Sequence, residues 1–165
     1  MTHGETDAVL RELVLRRATA GDARVLWEWA NDLDVRRQSF SPDPILWEQH
    51  VRWLAARLDS ADCAIWILER SGQPLGQVRY ERDKDDTATI DFSVAAYARR
   101  EGIGALLLSR SAPEAVAALG VATLLGVVKK DNVASARAFE RAGFVDEGDI
   151  SVGAWSCRRF ALRMK

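Results

Sequence analysis

The sequence predicts an α+β (mixed α/β) fold with one central mixed sheet of about seven strands, and three observations carry the prediction. Residues 63–95 have a hydrophobic period of two, in three short runs separated by turn residues. The period turns helical from Gly102 to Leu119. A mostly apolar run then follows at 121–128, as in a strand covered on both faces, with a second helical segment after it. Together they give the order β-α-α-β-β-β-α-β-α-β-β: an antiparallel meander first, then a crossover that makes two strands parallel. With no internal repeat and no linker, residues 1–165 form a single domain, with 1–12 expected to fray.

Each element has a local reason. "LVLRRA" (13–18) alternates apolar and polar residues, as a half-buried strand does. Thr19 is placed to cap a helix, with Asp22 near its positive end and Leu26, Trp29 and Ala30 at helical spacing. "DLDVRRQSFSPDP" reads as loop, because Pro42 and Pro44 forbid regular helix. "ILWEQHVRWLAARL" is amphipathic, with Ile45, Gln49, Trp53 and Arg57 on one face and Leu46, His50, Trp53 and Leu54 on another. "CAIWILER", the turn "SGQP", "LGQVRYER", the charged turn "DKDD" and "TATIDFSVA" make the meander. Pro113 falls inside the long helix and predicts either a kink or a second segment capped by Ser111. A short helix from about Val133 to Ala142 stops at Gly143, and "FVDEGDI" and "WSCRRFALRM" close the sheet.

Composition bounds the function. The 165 residues are 48% hydrophobic and 28% charged, enough for one core of their own. A net charge of -1 gives no electrostatic reason to expect nucleic acid. Cys63 and Cys157 stand alone in strand-like runs and read as buried thiols of a reducing compartment. His3 and His50 cannot join them at any recognised zinc spacing, so no metal is expected. The N-terminus lacks a signal-peptide pattern, and no apolar run approaches the ~20 residues of a membrane span. A cytoplasmic protein without membrane attachment is expected.

The stretch "ARREGIG", Ala98 to Gly104, joins a strand to a helix. A helix N-terminus offers free N–H groups and a positive dipole end, and glycines allow a phosphate to approach the backbone. The same residues also serve as a simple tight connection. No third glycine completes a dinucleotide fingerprint, and no Gly-Lys-Ser/Thr completes a Walker loop. A second pattern follows about 30 residues later: Asn132, Ser135, Phe139, then Gly143-Phe144.

Arg99-x-x-Gly102-x-Gly104 resembles the acetyl-CoA loop of the GNAT N-acetyltransferase superfamily, and the second pattern resembles that family's Asn-initiated helix. The element order is similar across nearly the whole chain. The resemblance implies acetyl transfer from acetyl-CoA to an amine, helped by proximity and by a backbone N–H at the developing oxyanion. It places pantetheine along Val94 and Ala95, and the pyrophosphate on the N–H groups of Arg99, Arg100, Glu101, Gly102, Ile103, Gly104 and Ala105. Asn132, Ser135, Phe139 and Arg141 fall where the family contacts CoA. The family commonly has a tyrosine where this chain has Phe139, which has no proton to give a leaving thiolate. Asp91 is the candidate base, with Thr89 on the same strand face; a solvated strand residue is the alternative reading.

The acceptor half resembles a narrower group, the N-acetyltransferases that modify the 4-amino group of UDP-linked 4-amino-4,6-dideoxy sugars. The likeness runs through Trp29, Asn31, Asp32, Val35, Arg36, Ser39, Phe40, Ile45, His50 and Trp53. It implies that Arg37, His50 and Trp53 face a nucleotide sugar. Plainer roles stand beside it: Trp29 and Trp53 as core, His50 as a satisfied structural histidine, Arg37 as a helix-end cap. An N-terminal peptide acetyltransferase and a non-catalytic acyl-CoA-binding module share the same cofactor half, and a homodimer is compatible with either half.

Overall fold

The computed structural model describes residues 2–5 and 12–164. The fraying expected of residues 1–12 therefore falls mostly outside the described residues. A seven-stranded sheet has the order β1-β2-β3-β4-β5-β7-β6. Its strands are β1 (Leu13–Arg17), β2 (Cys63–Arg70), β3 (Gln73–Arg82), β4 (Thr87–Val94), β5 (Thr123–Lys129), β6 (Val145–Val152) and β7 (Trp155–Arg163). Neighbouring strands are antiparallel except for β4 and β5, which the crossover makes parallel. The first six residues of β2 are all buried, so both of its faces are covered.

The helices among the described residues include α1 (Ala23–Ala30), α2 (Leu33–Gln38), α3 (Trp47–Asp59), α4 (Ile103–Leu119) and α5 (Val133–Arg141). A 3-10 turn, Ala20–Asp22, precedes α1. The expected cap becomes a reciprocal box there: the Thr19 N–H donates to Asp22 at 2.7 Å, and Arg16 donates to both Asp22 carboxylate oxygens at 2.8 and 2.7 Å.

Two expectations change. The stretch expected to be loop contains α2, because Asp32 caps it by accepting from the N–H groups of Asp34 and Val35. The two prolines only end the irregular segment that follows. Pro113 does not start a second segment; one helix runs from Ile103 to Leu119 with the proline inside it. Pro113 and Ser109, whose carbonyl loses its partner, are both exposed, so water can take over that bond. Ser111 is buried against the Tyr80 hydroxyl at 2.6 Å. Cys63 and Cys157 are free and buried, as expected.

Candidate active site

The parallel ladder between β4 and β5 runs from Thr87↔Thr123 to Ile90↔Gly126 and stops there. Beyond that pair, Asp91–Val94 and Val127–Lys129 have no partner in each other, although β4 still pairs with β3 and β5 with β7. The two strands open like a V. A cavity of about 1360 Å³ fills the opening and extends over the segment between α1 and α3.

One wall is the start of α4. Gly102 caps it at φ 75°, a conformation that costs glycine nothing, and no side chain caps the helix. The N–H groups of Ile103, Gly104 and Ala105 thus have no partner in the helix, while that of Leu106 already reaches the Gly102 carbonyl at 3.2 Å. Gly104 does a second job. A Cβ there would stand 3.1 Å from the Phe92 ring and 3.3 Å from Ala138, so the glycine lets α4 pack close to β4 and α5. Arg100, Arg137 and Arg141 line the same end, are exposed, and form no ion pair among the described residues. Free N–H groups beside uncommitted guanidinium groups suit a pyrophosphate.

Asn132 caps α5, its side-chain oxygen accepting from the Ser135 N–H at 3.2 Å. That fixes the amide so that its NH₂ remains available as a donor. Ser135 also lines the cavity. Phe139 reaches the cavity only as part of its wall. Its ring is 1% exposed, stacks on Phe160 and meets Phe92 and Phe144 edge-on.

Other expected ligands lie differently. Ala95 is buried, its N–H donates to the Leu75 carbonyl and its own carbonyl accepts from Ala98, so its backbone is spent within the chain. Successive residues face opposite edges of a strand, so Val94 is the one turned toward the opening. The Glu101 carboxylate pairs with Arg70 at 3.5 Å, and its residue is not on the cavity wall. Arg99 is on the wall, but its guanidinium binds Asp32 at 3.1 Å, Asp34 at 3.2 Å and the Val94 carbonyl at 3.2 Å. Burial raises the Asp32 carboxyl, but Arg99 and the α2 N–H groups outweigh it and hold the group below its ordinary range.

Away from α4 the cavity is lined by Gln77, Arg79, Asp91 and Ser93. Asp91 is exposed, with Gln77 at 3.4 Å and Arg79 at 3.7 Å from one oxygen. Trp53 is half-buried with Arg79 over its ring at 4.8 Å. Arg37 is exposed and pairs with Asp34 at 3.3 Å. His50 is 3% exposed, lies between Trp47 and Trp53, and its Nε2 is 2.9 Å from the Ala23 carbonyl. That contact puts the hydrogen of the neutral ring on Nε2, and the residue also lines the cavity beside Trp53.

Sequence reasoning missed Lys129. It is 7% exposed, and its Nζ donates to the carbonyls of Arg37 and Ser39 at 3.0 and 2.9 Å and sits 3.5 Å from the centre of the Trp155 ring. A charge closing the apolar run "LLGVV" was the available signal. Among the described residues no acidic, histidine or cysteine cluster could hold a metal, and no helix is long and apolar enough to cross a membrane.

His50 supplies a pH prediction. Burial pushes its imidazole below the ordinary 6.5, and the Ala23 carbonyl offsets this only in part. The unfolded chain therefore takes up the proton first as pH falls. Stability present above about 6.5 is lost as pH drops toward the lower folded value. Thermal melts from pH 7 to 5 should show a falling Tm, with a shallower fall in His50→Gln; parallel profiles would refute the assignment.

Residues 12–145 match the family model described as an acetyltransferase (GNAT) domain. Among curated proteins nothing matches. Solved structures share the fold at low identity. Spermidine N-acetyltransferase from Vibrio cholerae, in complex with CoA and spermine, superposes with a TM-score of 0.80 at 17% identity, covering 93% of this chain and 96% of that one. The aminoglycoside acetyltransferase AAC(6')-Ib, with paromomycin and acetyl-CoA, gives 0.78 at 17% identity, covering 92% and 93%. RimL, a ribosomal L7/L12 alpha-N-protein acetyltransferase in complex with CoA, gives 0.82 at 14% identity, covering 94% and 96%. The chain belongs to the GNAT acetyltransferase family and is an acetyl-CoA:amine N-acetyltransferase.

Proposed function

We propose that the chain acetylates the primary amine of a small molecule that also carries negative charge, with the 4-amino group of a UDP-linked amino-dideoxy sugar as the acceptor. The supporting observation is the charge of the acceptor half. Arg37, Arg79 and Lys129 line it with Arg36, against Asp34, Asp43 and Asp91. Asp34 already pairs with Arg37 and Arg99, and Asp91 with Arg79, so only Asp43 is left without an ion pair among the described residues. A polycation such as spermine or an aminoglycoside would meet few uncommitted carboxylates here. The cations are engaged too, Arg37 with Asp34, Arg79 with Asp91 and Glu81, and Arg36 and Lys129 with backbone carbonyls, so this half favours an anion only through its excess of four cations over three carboxylates; a base would find Trp53 and Phe40 on the wall. The likeness to the sugar-nucleotide enzymes rests on this chain's acceptor segment rather than on the solved structures.

Acetyl-CoA supplies an activated acetyl thioester. The N–H groups of Ile103, Gly104 and Ala105, with Arg100, Arg137 and Arg141, would hold its phosphates, and the Asn132 amide and the Val94 N–H its pantetheine arm, the Val94 carbonyl being taken by Arg99. Asp91 takes the proton of the arriving ammonium, directly or through one water, so that the amine is free to react. Phe139 cannot donate, so the chain assigns no general acid to that wall.

The test is CoA release with a panel of acceptors. Turnover is expected with a UDP-4-amino sugar and at least tenfold less with spermidine or an aminoglycoside at equal concentration. Release with N-terminal peptides but never with amino sugars would defeat the proposal. Asp91→Asn should lower kcat by roughly 100-fold at neutral pH, with a smaller deficit at high pH where the amine arrives deprotonated.

A further inference from the structure

We propose that Arg99 is a positioning residue for the acceptor wall rather than a phosphate ligand: it and Lys129 fasten α2 as a strap across the opening between β4 and β5. The two anchors lie on opposite sides of the V. Arg99 follows β4 and binds Asp32 and Asp34 at the start of α2, while its Nε holds the Val94 carbonyl. Lys129 ends β5 and binds the carbonyls of Arg37 and Ser39 at the other end of α2. Both anchors lie beyond Ile90↔Gly126, where the strands no longer hold each other.

The strap is internally stiff. Arg36 donates to the carbonyls of Ala30, Ser41 and Asp43, and the Asn31 amide makes two bonds to the Ile45 backbone at 2.7 and 3.0 Å. Ser39, Phe40, Ser41, Asp43 and Pro44 then line the acceptor cavity from a fixed position. A guanidinium shared between two carboxylates keeps little net charge for a diphosphate, whereas Arg100, Arg137 and Arg141 have no such partners among the described residues. Arginine suits the role because its planar fork can reach both carboxylates and the strand carbonyl at once; a lysine ammonium cannot reproduce that geometry.

The test reads acetyl-CoA affinity and amide hydrogen exchange on the intact protein. Arg99→Ala should change the acetyl-CoA Kd less than threefold and accelerate exchange at residues 33–43 at least tenfold. Arg99→Lys should fall between it and the wild type. Asp34→Asn, at an exposed side chain, should accelerate the same amides with no effect on acetyl-CoA, and serves if Arg99→Ala does not fold. Arg100→Ala should weaken acetyl-CoA about tenfold and leave those amides unchanged. Unchanged exchange in Arg99→Ala and Asp34→Asn, or a tenfold loss of acetyl-CoA affinity in Arg99→Ala, would overturn the assignment. The affinity comparison rests on the proposed cofactor site. If the wild type binds no acetyl-CoA, that reading fails, while the exchange data still decide whether Arg99 fastens the strap.

Discussion

Gly126→Ala should lower the melting temperature by about 6–12 °C. A Cβ at residue 126 would lie 2.2 Å from Cζ, 2.5 Å from Cε1 and 2.9 Å from Cε2 of Phe139. The ring has no easy retreat, because Phe160 stacks on it at 5.4 Å and Phe92 and Phe144 meet it edge-on at 5.4 and 5.1 Å. Overpacking of this kind costs about 3 kcal/mol, which at ~2–4 °C per kcal/mol for a chain of this size gives the stated range. Gly126 is also the last β5 residue in register with β4, so a displaced ring would disturb the point where the cavity opens. Combining Gly126→Ala with Phe139→Leu should recover much of the loss, since the smaller side chain vacates the space, and the non-additivity would measure the contact. A melting temperature within 2 °C of the wild type for Gly126→Ala alone would show that the cluster yields more easily than its geometry implies.

That contact also explains what was and was not legible in the sequence. The meander could be read nearly to the residue, because its strands alternate and its turns are local. β2 spans the expected 63–70, and the Ser71-Gly72 turn has both residues at positive φ, as a tight hairpin requires. The glycine-capped start of α4 was legible for the same reason: Gly102 and the N–H groups behind it lie within a few adjacent residues. The role of Phe139 was not, because it depends on Gly126 and Phe160, which come together only when β5 and β7 pair. α2 was hidden by the prolines just beyond it, and its Asp32 cap was passed over. Arg99 was assigned by its place beside the glycines, yet its carboxylate partners lie 65 and 67 residues away in the chain. Lys129 likewise bonds to carbonyls 92 and 90 residues away. Local pattern thus located the start of α4, while the opposite wall of the cavity is built from contacts between distant segments.

Acetyl-CoA at a hundredfold excess over its Kd should raise the melting temperature by about 5–10 °C. A ligand that binds only the folded chain adds about 2.7 kcal/mol at that concentration, and a chain of this size gains ~2–4 °C per kcal/mol. Arg100→Glu combined with Arg141→Glu should then remove most of the shift at the same acetyl-CoA concentration. Each substitution deletes a charge-assisted contact worth about 1.5–3 kcal/mol and sets a carboxylate against phosphate, so the affinity should fall by ~100-fold or more. The unliganded variant should melt close to the wild type, because both arginines are exposed and neither has an ion pair among the described residues. Arg100 already adopts φ 66°, and glutamate bears that backbone no worse than arginine does. A loss of ligand shift without loss of stability would therefore report on the phosphate contacts themselves. An undiminished shift in the double variant would place the phosphates away from the N-terminus of α4. No shift in the wild type at millimolar acetyl-CoA would remove the cofactor from this cavity altogether.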